Sequence, residues 1–83
     1  MEIQAKIIDI LGHNGITISQ ENGAYIINKE GLSSIAFVSS LVEIEGEFNI
    51  SIPDYLLTYT LFDDFSRLVE IVRDLINNGK KEI

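Results

Sequence analysis

Asn14-Gly15-Ile16-Thr17-Ile18-Ser19-Gln20-Glu21-Asn22-Gly23-Ala24-Tyr25-Ile26-Ile27 is the stretch whose reading decides the fold. Ile16 and Ile18 alternate with Thr17 and Ser19, and Asn22-Gly23 is a strong signal for a two-residue hairpin turn before Ala24-Tyr25-Ile26-Ile27. By local rules alone the segment is a candidate β-hairpin, which would make the domain α+β. The competing reading takes 14–33 as one packed loop, held on helices by Ile16, Ile18, Tyr25, Ile27 and Leu32, with at most a short β-bridge. A loop of that length is uncommon in a compact domain and is usually functional or well packed. The flanking elements therefore have to arbitrate.

Upstream, Ile3, Ile7, Ile10 and Leu11 recur at helical spacing, with Glu2, Lys6 and Asp9 between them and a stop from Gly12 to Gly15. Ile8 widens the apolar side, which suits packing in a bundle. Downstream, the spacing predicts a second helix from about Ser34 to Phe48. Ser33 or Ser34 stands near its N-cap, where a hydroxyl accepts an orphan backbone N–H. Asn49 and Pro53 end it, and 53–57 has room for one further helical turn. The last helix has the clearest pattern. Phe65, Leu68, Val69, Val72, Leu75 and Ile76 form one stripe, with Asp63 or Asp64 at its start and Asn78-Gly79 at its end. One domain over 1–79 and a tail over 80–83 follow.

Eighty-three residues make one small core and no cleft between two lobes, which argues against a cofactor-free enzyme. Six Lys and Arg against thirteen Asp and Glu leave a formal charge of −7, which repels phosphate backbones and anionic headgroups. Neither nucleic acid nor membrane is an expected partner. The chain has no cysteine, so any thiol chemistry has to come from a cofactor. No secretory signal or membrane-length apolar run is present, and the expected compartment is the cytoplasm. Glu43 and Glu47 share a helix face as a solvated pair, and Asp54, Asp63 and Asp64 read as helix caps, so no metal site is expected. His13, the only histidine, belongs to the end of the first helix and offers no partner for a nucleophilic serine.

The second helix places Ala36, Ser39, Ser40, Glu43 and Glu47 on a polar side and leaves an apolar arc too wide to bury. Phe37, Leu41, Ile44 and Phe48 form one half of that arc, while Ile35, Val38 and Val42 form the other. Glu45 lies between the two and marks where the core ends, because a carboxylate is rarely buried alone. Ile35, Val38 and Val42 are then a partly exposed ridge with an acidic edge, the character of a docking surface.

From Gly31 to about Val72, roughly half of the chain, the sequence resembles acyl and peptidyl carrier proteins. The resemblance rests on the serine at the mouth of the second helix, the ridge behind it, Ile50-Ser51-Ile52-Pro53-Asp54 and the final amphipathic helix. It implies an all-α fold, a four-helix bundle with a long loop between helices one and two and a short third helix, and so selects the loop reading of 14–33. Counting back from Ile52-Pro53, the family's modified serine falls on Ser34. The resemblance then implies covalent attachment of phosphopantetheine from coenzyme A to Ser34 by a phosphopantetheinyl transferase. It also implies a monomeric, non-enzymatic carrier of acyl or aminoacyl thioesters that meets loading and downstream enzymes of fatty-acid, polyketide or nonribosomal biosynthesis. Ser33, Ile35, Val38, Val42 and Glu45 are the expected docking residues. A phosphodiester at a helix N-terminus suits free N–H groups and the positive end of the dipole. Ser33 departs from the family, which has Asp there for recognition by the transferase. A second expectation is a degenerate, unmodified module that keeps only the docking helix.

Overall fold

Asn22 and Gly23 both have positive φ, 52° and 84°, the backbone of a type I′ turn. That turn closes a hairpin of β1, Ile18–Glu21, and β2, Ala24–Ile27. The strands pair antiparallel as Ile18 with Ile27, Ser19 with Ile26, Gln20 with Tyr25 and Glu21 with Ala24. The structure, a computed structural model, describes residues 2–81, the side chains of Tyr59, Lys80 and Lys81 excepted.

Three helices accompany the hairpin: α1, Ile3–His13; α2, Ser34–Phe48; and α3, Phe65–Lys81. The fold is α+β, which overturns the expected all-α four-helix bundle. Two errors combine in that expectation. The supposed long loop between the first two helices contains the hairpin, because residues suited to positive φ and a period of two in the flanking side chains act locally. The supposed short third helix is instead a pair of 3-10 turns, Asp54–Leu56 and Tyr59–Phe62. Pro53 and Thr58, both extended with ψ 146° and 159°, bracket the first turn and stop it from lengthening.

The hairpin is part of the core. Ile27 is buried, Ile18 and Tyr25 are half-buried on the same face, and Ile26 on the other face is exposed. Tyr25 meets Phe65 at the start of α3, with ring centroids 5.4 Å apart. On the helical side, Ile7 and Leu11 of α1, Ile44 of α2, and Leu68 and Val72 of α3 are sealed from solvent. Phe37 meets Phe62 edge-on at 4.9 Å, so the second 3-10 turn also reaches the core. Lys6 Nζ lies 3.2 Å from Glu47 Oε2, and Asn14 Nδ2 donates to Glu43 Oε1 at 3.0 Å. The order of those ties runs α2 back along α1.

Two further expectations are corrected. Ser40 is fully buried and its hydroxyl has no hydrogen-bond partner, so it belongs to the core face and not to the polar side. Its position follows Phe37 by three residues and precedes Ile44 by four, the spacing of that buried face. At the other end, α3 continues through Asn78 and Gly79 to Lys81. The remainder of the expected tail, 82–83, lies outside the described residues.

Candidate functional site

The mouth of α2 is delivered by a tight turn. Leu32 donates its N–H to the Lys29 carbonyl at 3.0 Å, and Gly31 between them has φ +80°, which requires glycine at the third turn position. The Asn28 side chain accepts from Glu30 N–H at 3.0 Å, and Lys29 pairs with Asp63 before α3. This pinning positions Ser33 as the N-cap. Its φ is −92° and ψ 158°, and its Oγ accepts from Ala36 N–H at 3.0 Å. Serine and aspartate are about equally good in that role. Ser33 therefore keeps the capping hydrogen bond that an aspartate would make and gives up its charge.

Ser34 is the first residue of α2 and is exposed. No acidic side chain lies in the first turn of α2. A residue exposed there is accessible to a modifying enzyme, and the positive end of the helix dipole suits a phosphodiester without a neighbouring carboxylate to oppose it. The residues present thus fit the phosphopantetheine linkage that the resemblance implies.

Beside Ser34 lies the ridge. Ile35 is 79% exposed, Val38 55% and Val42 60%, and Ser34, Ile35, Val38 and Ser39 line a shallow apolar depression. Aliphatic side chains this exposed, three on one face, are more than scattered surface residues. The structure brings four of the expected site residues, Ser34, Ile35, Val38 and Val42, to one continuous face, with Ser33 at its end.

Glu45 has another task. Half-buried, it accepts from Ile52 N–H through Oε2 at 2.7 Å, while its carbonyl accepts from Asn49 and Ile50 N–H groups. Asn49 takes the left-handed conformation, φ 55°, that reverses the chain there. Glu45 thus fastens the segment after α2 to the helix. The sequence holds no local signal for that bond, which links residues seven apart across a chain reversal.

The remaining expected roles divide. Asp64 caps α3, its Oδ1 accepting from Arg67 N–H at 3.3 Å, whereas Asp63 pairs with Lys29 and Asp54 makes no capping bond. Glu43 and Glu47 are the carboxylates that tie α2 to α1, and His13 Nδ1 lies 3.6 Å from Glu43 Oε2. Of the aromatic residues around the expected third helix, Phe62 is buried, while Tyr55 is exposed and lines a groove with Arg67, Ile71 and Leu75 of α3; the side chain of Tyr59 lies outside the described residues. Among the described residues no three His, Cys, Asp or Glu side chains converge as metal ligands, and no helix is long and apolar enough to cross a membrane.

Comparison with protein-family models, curated proteins and solved structures returned no match to the chain.

Proposed function

We propose that this protein is a carrier of thioester-bound acyl or aminoacyl intermediates, with Ser34 as the covalent anchor of a phosphopantetheine arm. One observation carries the reading: an exposed serine opens α2 at the edge of an exposed aliphatic ridge. The bound arm supplies a thiol, which this cysteine-free chain lacks. The chain's own residues divide the remaining work. Ser33 caps the helix and holds the Ser34 backbone in place, the dipole of α2 favours the phosphodiester, and Ile35, Val38 and Val42 give partner enzymes an apolar footing next to the anchor. Charge supports the same choice of partners. α2 carries three carboxylates and no basic residue, so a transferase or acyl-loading enzyme with a basic rim around an apolar patch is the complementary surface.

Co-expression with a promiscuous phosphopantetheinyl transferase, followed by intact-mass measurement, is expected to add one arm, lost in Ser34→Ala. Ser33→Asp, which keeps the cap and restores the family's charge, is expected to speed the addition. If no transferase adds mass to either the parent chain or Ser33→Asp, the carrier reading fails. A second reading, an unmodified docking module, is favoured by the missing charge at Ser33 beside an intact ridge. It wins if Val38→Asp abolishes a partner interaction that Ser34→Ala leaves unchanged.

A further inference from the structure

Asparagine followed by glycine occurs three times, at Asn14-Gly15, Asn22-Gly23 and Asn78-Gly79. In this dipeptide the unhindered glycine nitrogen can attack the asparagine side-chain carbon. The local chemistry is the same at all three, and the structure separates them.

At Asn14 both reacting groups are occupied. Nδ2 donates to the Ile10 carbonyl at 2.8 Å and to Glu43 Oε1 at 3.0 Å, while Gly15 N–H donates to the Gly12 carbonyl at 3.0 Å. Asn78 and Gly79 lie within α3, where the ladder engages the backbone N–H and holds it away from the preceding side chain. Asn22 and Gly23 form the exposed tip of the hairpin. Among the described residues, neither the Asn22 side chain nor Gly23 N–H has a hydrogen-bond partner. Attack requires the left-handed turn to open, and a hairpin tip with neither reacting group bonded opens more cheaply than the ladder-bonded last turn of α3 or a doubly bonded cap.

We propose that Asn22 is a self-modification site, at which the folded protein deamidates in preference to its other Asn-Gly pairs. The Gly23 nitrogen loses its proton and bonds to Cγ of Asn22; the Cγ–Nδ2 bond breaks, and Nδ2 leaves with that proton as ammonia. Water then opens the cyclic imide. Breaking the Cγ–N bond gives aspartate, and breaking the bond between the main-chain carbonyl carbon and N gives isoaspartate. The two products have opposite consequences. Aspartate before glycine suits a type I′ turn as asparagine does. Isoaspartate routes the main chain through an extra carbon in a loop of only two residues, so the pairing of Glu21 with Ala24 is lost first. The damage then runs toward Tyr25 and its contact with Phe65.

Incubation of the whole chain at mildly alkaline pH, followed by cleavage after glutamate, puts the three pairs on separate peptides, 3–21, 22–30 and 71–82. The 22–30 peptide is expected to gain the amide-to-acid mass change and isoaspartyl-methyltransferase label at least about tenfold faster than the others, or ~1.4 kcal/mol. In concentrated urea the three rates are expected to converge. Comparable rates in the folded protein, or a slower rate at 22–30, overturn the proposal. So does conversion of that peptide that persists in Asn22→Ser, because the reaction then belongs to Asn28.

Discussion

α2 and α3 are of similar length, fifteen and seventeen residues, and spend their apolar side chains differently. On α3, Phe65, Leu68, Val69 and Val72 are buried, Ile71, Leu75 and Ile76 are half-buried, and Arg67, Glu70, Arg73 and Asp74 face water. Folding accounts for every one of those apolar residues. On α2, Phe37, Leu41, Ile44 and Phe48 do the same work, but Ile35, Val38 and Val42 stand outside it. They bury little in the folded chain and so contribute little to its stability. The difference separates a helix shaped by its own core from one that carries a second apolar face.

Substitution in the shared core should abolish the difference between the two helices. Ile44→Ala on α2 and Leu68→Ala on α3 each remove a side chain with no solvent exposure and leave a cavity, at a cost of about 2–5 kcal/mol. Urea unfolding is expected to shift both midpoints down with similar slopes. A loss below that range at Ile44 would mean that α2 is not anchored by its buried face, and the comparison would collapse.

Glu45→Ala tests the fastening of the C-terminal end of α2. It removes the acceptor of Ile52 N–H, beside a buried Ile52 side chain, and is expected to cost about 1.5–3 kcal/mol, as for other hydrogen bonds to a charged group. Exchange of the Ile52 amide hydrogen should accelerate in the variant. Full protection there after the substitution would show that the bond is dispensable.

How far each region can be read in advance follows from the range of the forces that shape it. The bounds of α2, the reversal at Asn49 and the stripe of α3 depend on caps and side chains within a turn or two, and all three are legible in the chain. The hairpin is legible as well, since Asn22-Gly23 and the alternation around it are local. The family layout implied by the other half of the chain points instead to a packed loop, and the apolar residues Ile16, Ile18, Tyr25 and Ile27 suit either reading, so they do not arbitrate. The site divides along the same line. Exposure of Ile35, Val38 and Val42 follows from an arc too wide for one interface. The Glu45 bond to Ile52 and the burial of Ser40 depend on which elements meet, and periodicity alone does not carry that information.

Ser40→Ala gives a smaller effect of opposite sign. A buried hydroxyl without a partner has lost its hydrogen bonds to water and gained none, so its removal is expected to be neutral or to stabilise by up to about 1 kcal/mol. A clear loss of stability, measured by the same urea unfolding, would show that the hydroxyl is bonded in solution and would weaken the description of that face as uniformly apolar.

The smallest expected effect on stability is at the ridge, where the two helices differ most. Val38→Ser replaces an aliphatic side chain that is 55% exposed with one of similar helix propensity, and the midpoint should move by less than about 0.5 kcal/mol. Phe37, Leu41 and Ile44 stay in place, so the fold gives the variant no reason to change. Ile35→Ser and Val42→Ser should behave alike, each being mostly exposed. The functional measurement should diverge from the stability measurement. Modification of Ser34 by a transferase, or binding to a partner, should weaken in each variant while the unfolding curve stays where it was. If the three substitutions destabilise the fold by amounts typical of buried valine, the ridge is packed in solution and α2 has one apolar face, as α3 does. If they change neither stability nor any interaction, the surplus on α2 serves no docking, and the comparison reduces to one of composition.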